Sequence, residues 1–120
     1  MVVKIMNDYS MISLKIYDLF SRQSKVIHLK DLELSIKELI KKYEKIINFQ
    51  IYDVIQNKNF IEVKIIKKDF EKYNIVINSK INGKIISEAN ININIERVLM
   101  LIYLKIIKYK YEIFFEKYNL

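Results

Sequence analysis

Few kinds of side chain in this 120-residue chain are equipped to do chemistry. There is one histidine, His28, and no cysteine, so a thiol nucleophile and a zinc site built from Cys or several His both lack their ligands. The single glycine, Gly83, cannot make a glycine-rich loop around a phosphate, and no serine sits in a glycine-flanked elbow. His28 falls on a short strand and reads as an ordinary sheet or surface residue. Lysine and tyrosine, by contrast, are abundant, with nineteen and nine copies, and they crowd the C-terminal segment together with Phe114, Phe115 and Tyr118. Cationic chains interleaved with rings can neutralise phosphates and stack on bases. Lys105, Lys108, Tyr109, Lys110, Tyr111 and Lys117 are therefore the candidate binding residues, set against a plainer reading in which the rings are core and the lysines a solvated helix face. Arg22 and Arg97 are the only arginines, so the bidentate contacts that read bases in duplex DNA are not indicated.

A second constellation is Asp53 followed by Glu62-Val63-Lys64 on the next expected strand. It resembles the Asp…Glu-x-Lys core of PD-(D/E)xK nucleases, and Ile61-Glu62-Val63-Lys64-Ile65 is similar to the catalytic strand of archaeal Holliday-junction resolvases. The resemblance implies a divalent metal held by Asp53 and Glu62 and a catalytic Lys64, with Glu33 or Glu38 as a further carboxylate from a helix. From the residues themselves no metal or cofactor is called for.

Composition bounds the rest. Twenty-five isoleucines, nineteen lysines and eleven asparagines, with no threonine, proline, cysteine or tryptophan, point to a very A/T-rich gene. Part of the lysine and isoleucine count is therefore codon bias. The net charge of +7 survives that discount, because glutamate codons are A/T-rich too, and it favours an acidic partner, a protein surface or a nucleic acid. Small size and A/T-rich coding suit an accessory protein of a virus or mobile element. The first ten residues contain Asp8 and lack the pattern of a signal peptide, and the longest apolar run, residues 98–104, is short of a membrane span. The expected location is the cytoplasm, or a host's cytoplasm.

The hydropathy pattern supplies the elements that must position these residues. Residues 2–6 read as extended and 7–10 as a turn; Ile12, Leu14 and Ile16 alternate with Ser13 and Lys15 as a strand, and 25–30 forms another after a turn at 21–24. From Asp31 to Phe49 apolar residues recur every three or four positions, Leu32, Ile36, Leu39, Ile40, Tyr43 and Ile47, which predicts an amphipathic helix capped by Asp31, or by Ser35 with Glu38. Four period-two segments follow at 49–56, 60–67, 73–81 and 84–95, and a long helix at 96–118.

Matching apolar to apolar sets an expected register. A three-residue loop Ile81-Asn82-Gly83 pairs Ile75 with Ala89 and Tyr73 with Ile91, Gly83 taking the left-handed position of a bulge. A loop Asn57-Lys58-Asn59 pairs Ile55 with Ile61 and Ile51 with Ile65, and sets Asp53 opposite Val63. Ile91, Ile93 and Ile95 then point into one apolar face and Asn90, Asn92 and Asn94 line the other.

The expected fold is one α+β domain over residues 1–120, an antiparallel meander packed by a central helix and a long C-terminal helix. Its element order resembles the helix-grip and TATA-binding-protein-like folds. The expected function is a small non-catalytic basic interaction module for an acidic protein or a nucleic acid. The alternatives are a carrier of an apolar small ligand or lipid, its cavity lined by Ile75, Ile77, Ile91, Ile93 and Leu101, and the metal-dependent nuclease. Because residues 98–107 are apolar on nearly all sides, a homodimer through the C-terminal helix is also expected.

Overall fold

The structure, a computed structural model, describes residues 12–53 and 59–118, with side chains described for 12–52 and 59–108. The expected strand at 2–6 and turn at 7–10 lie outside the described residues. Strand β1 (Ser13–Asp18) turns Leu14 and Ile16 inward, and β2 (Gln23–His28) returns antiparallel with Ile27 opposite Leu14. Arg22 closes the connection from the left-handed region (φ 59°), its N–H bonded to the carbonyl of Asp18 at 2.8 Å.

A short 3-10 turn leads into helix α1 (Leu32–Lys42), with Asp31 at the N-cap position as expected, although its carboxylate makes no capping bond. The helix stops seven residues short of Phe49. The N–H of Tyr43 bonds to the carbonyl of Leu39 and the chain then enters β3 (Ile46–Asp53). Residues 46–51 satisfy both periods in the sequence. Their β-branched side chains and the two flanking strands available for pairing decide for a strand.

Strands β4 (Phe60–Lys67), β5 (Tyr73–Ile81) and β6 (Lys84–Ile93) complete a six-stranded antiparallel sheet in the order β2-β1-β3-β4-β5-β6, and α2 (Ile95–Tyr118) follows. Val98, Ile102 and Ile106 of α2 are spaced four apart and fully buried; with Leu32 and Ile36 of α1 they join the inward residues of the sheet in one continuous apolar cluster. Both helices therefore cover the same face of the sheet. The chain is α+β, with the expected order of strands, helix, four-stranded meander and long C-terminal helix. Among the described residues no helix is long and apolar enough to cross a membrane.

Two expected registers are corrected. Between β3 and β4 the apolar pairing is kept but slides by four residues, so that Ile51 faces Ile61, Phe49 faces Val63 and Ile47 faces Ile65. Between β5 and β6 the turn has two residues, Asn82 and Gly83, both at positive φ (53° and 79°), the geometry of a type I′ hairpin. Ile81 pairs with Lys84, Val76 with Ala89 and Ile75 with Asn90. The odd–even conflict that argued for a longer loop is resolved further along, where a bulge lets Tyr73 pair with Ile93. Asn92 takes φ 55° there, and its N–H bonds to Oδ1 of Asn74 at 3.1 Å. As a result Ile91, expected inside, is 69% exposed, and Ile85 is 71% exposed.

Candidate functional site

Because α1 and α2 share one face, the opposite face of the sheet is uncovered among the described residues. Period-two alternation assigns its side chains. Where Leu14, Ile51, Ile61 and Ile77 point into the core, Lys15, Tyr52, Phe60, Lys64 and Lys80 point away from it. The ladder then aligns them. Val26 pairs with Lys15, Lys15 with Tyr52, Tyr52 with Phe60, Phe60 with Lys80 and Lys80 with Ile85, giving a single straight row across all six strands. Two rings stand at its centre, a lysine flanks them on each side, and an aliphatic residue ends it on each edge strand.

The geometry within the row is that of interacting neighbours. The Tyr52 and Phe60 rings lie 5.3 Å apart at 36°. Lys15 Nζ sits 4.9 Å from the centre of the Tyr52 ring and Lys80 Nζ 5.9 Å from that of Phe60. The next row anchors the first. The Tyr52 hydroxyl donates to Gln50 Oε1 at 2.6 Å, and Gln50 Nε2 donates to Glu62 Oε2 at 3.3 Å. Burial, and then the charge of Glu62 and the neighbouring Tyr17, push the Tyr52 hydroxyl above its ordinary range, so it stays a neutral donor at any physiological pH. Lys64 stands exposed between Asn48 and Val76 on the same face.

Residues singled out in the sequence fall in different places. Glu62 and Lys64 share the open face of β4. Asp53 ends β3 with its backbone paired to the buried Leu14 rather than to Val63 as expected, and its side chain lies outside the described residues. Glu62 and Lys64 are thus apart from Asp53 along the ladder, since Glu62 pairs with Gln50. Among the described residues no group of three or more His, Cys, Asp or Glu side chains is arranged to hold a metal ion.

On α2, Lys105 is largely buried and ion-paired with Glu88, which fastens the helix to edge strand β6, whereas Lys108 is exposed. The expected Tyr109, Lys110, Tyr111 and Lys117 lie on the same helix, with their side chains outside the described residues. Met100, Tyr103 and Leu104 form an exposed stripe on the side of α2 away from Val98 and Ile102. Of the expected cavity lining, Ile75 and Ile77 are packed in the core while Ile91 faces outward.

One further polar site is structural. Asp18, at the end of β1, accepts bonds from the Tyr43 hydroxyl (2.5 Å), Ser21 Oγ (2.9 Å) and the N–H of Phe20 (3.0 Å). Burial alone would raise its carboxyl, but these hydrogen bonds outweigh it and hold the group below its ordinary value. Asp18 ties the β1–β2 turn to the end of α1. Comparison with protein-family models, with curated proteins and with solved structures finds no match to this chain.

Proposed function

We propose that the protein is a non-catalytic basic module that binds single-stranded nucleic acid across the open face of its sheet. The observation that carries the reading is the in-register row Lys15-Tyr52-Phe60-Lys80, with Lys64 on the same face. Rings offer the faces on which unpaired bases stack, whatever their sequence, and lysines supply the charge that holds a phosphate chain.

The exchange on binding is favourable in outline. In the free protein an ammonium group lies against each ring, a contact worth about 0.5–1 kcal/mol at an exposed site. A base on the same ring face is worth about 1–3 kcal/mol, and the lysine it displaces can turn toward the adjoining phosphate. A duplex keeps its base faces covered, which favours single strands over double. The scarcity of arginine fits a surface that holds a strand without reading its edges.

The test is fluorescence anisotropy with labelled single- and double-stranded DNA and RNA over a range of salt, with and without Mg²⁺, the products then run on a denaturing gel. The reading expects single-strand binding that weakens with salt, a slope near 2 if Lys15, Lys64 and Lys80 each neutralise one phosphate (about 0.7 per contact), and intact oligonucleotide in every lane. Absence of binding at low salt would redirect the search to an acidic protein surface. Mg²⁺-dependent cleavage lost in Glu62→Ala would replace the binding module with a nuclease.

A further inference from the structure

The two edges of the sheet are unlike. Edge strand β2 has six residues, runs straight into a 3-10 turn, and has Lys25 engaged with Glu38 of α1 at 3.9 Å. Edge strand β6 has ten residues, no proline, and three exposed isoleucines, Ile85, Ile86 and Ile91. Long edges of this kind are templates for a further strand unless something blunts them. Here the bulge at Asn92 lies at the far end, and the charges along the strand are one lysine, Lys84, and one glutamate, Glu88.

We infer that β6 pairs antiparallel with β6 of a second copy of this chain, about a twofold axis at Ile86, to make one continuous twelve-stranded sheet. The register follows from two constraints. In a two-residue hairpin the closing pair, here Ile81 and Lys84, exchanges both its hydrogen bonds, so Lys84, Ile86 and Glu88 turn their N–H and C=O toward β5, and Ile85, Ser87 and Ala89 turn theirs to the free edge. A twofold pairing must match edge-facing residues with each other. Centring on Ile86 does this, with Ile85 opposite Ser87 of the other copy. It also places Lys84 of each copy opposite Glu88 of the other, so that Glu88, already engaged by Lys105 of its own chain, gains a second lysine at two symmetric places. Centring on Ser87 satisfies the hydrogen bonds but sets Glu88 against Ile86, and centring on Glu88 would oppose two like charges.

The second copy is favoured as occupant over an unrelated strand because the charges of this short stretch complement themselves only when the strand is reversed against its own sequence. The pairing also joins the two open faces into a single surface, but it does not depend on what that surface binds.

Because the chain contains no cysteine, single thiols report the register directly. Ile86→Cys meets itself across a non-hydrogen-bonded pair, where the backbones approach closely enough for a disulfide. The expected result is that Ile86→Cys oxidises mainly to a cross-linked dimer, that Ile85→Cys and Ser87→Cys cross-link when mixed but not alone, and that wild type sediments as a dimer. Lys84→Glu should weaken the dimer on the order of tenfold by turning both ion pairs repulsive. Ser87→Pro, which removes a donor only from the free edge, should leave a folded monomer with an unchanged circular dichroism spectrum. A monomeric wild type at about 100 µM, well above the Kd of a stable interface, would overturn the inference. So would a dimer that survives Ser87→Pro and is lost in Leu104→Lys on the outer stripe of α2.

Discussion

The helix-covered and open faces of the sheet are built from alternate residues of the same strands, yet they have opposite chemistry. The covered face is apolar, centred on Phe49, Val63, Ile65 and Ile75, all fully buried beneath α1 and α2. The open face carries lysine, tyrosine, asparagine and glutamine, with Phe60 and Tyr52 half-exposed between lysines. Stability is therefore concentrated on one face, and the recognition proposed above on the other. A substitution on β3 or β4 should disturb one property or the other according to whether its position is odd or even.

The largest expected effect lies on the covered face. Phe49→Ala should cost about 3–5 kcal/mol, since α1, β1 and β4 cannot all close on the space left. Urea unfolding of the variant beside wild type measures it, and a loss under 1 kcal/mol would mean that the face is not the seat of stability described here.

Next is the one carboxylate buried on that face among the described residues. Tyr43→Phe removes a hydrogen bond to the charged Asp18 and should cost about 1.5–3 kcal/mol at neutral pH. Asp18 titrates below the ordinary aspartate value of 3.8 in the folded chain, so its contribution is full above that pH and is lost as pH falls through the lower, folded value. Wild type should accordingly lose stability below pH 3.8 more steeply than Tyr43→Phe, as unfolding midpoints at stepped pH would show. Equal slopes would remove the argument. Smaller still are the open-face lysines. Lys64→Gln and Lys80→Gln should each leave the unfolding midpoint within about 0.5 kcal/mol of wild type, and each should lower the salt slope of nucleic-acid binding by about 0.7.

Part of this contrast is legible in the sequence. The alternation of Phe49 and Ile51 with Gln50 and Tyr52 shows that β3 has two unlike faces, whereas the buried side of α2, Val98, Ile102 and Ile106, is hidden in a stretch that is apolar on nearly all sides. Absolute register is not legible, because in isoleucine-rich strands any even slide keeps apolar against apolar. Ile51 is as well matched by Ile65 as by Ile61. That ambiguity hid the open-face row. In the expected register Tyr52 lies opposite Lys64 and four residues of ladder away from its true partner, Phe60, whereas the observed pairing brings the two rings together between Lys15 and Lys80. The basic-aromatic cluster of the C-terminal segment was the louder signal, yet Lys105, its first member, serves to fasten α2 to β6. Burial explains why: a helix that must cover the sheet brings its own lysines against the edge strand, where Glu88 meets one of them.

The division between the faces is tested most directly by titrating a labelled single-stranded oligonucleotide into wild type and into Tyr52→Ala/Phe60→Ala, with urea unfolding of both proteins alongside. The account predicts at least a tenfold loss of affinity, from about 1–3 kcal/mol per stacked base, with an unfolding midpoint close to that of wild type. Equal affinity in the two proteins would contradict it, and would mean that whatever the basic charge binds, it does not bind on the open face of the sheet.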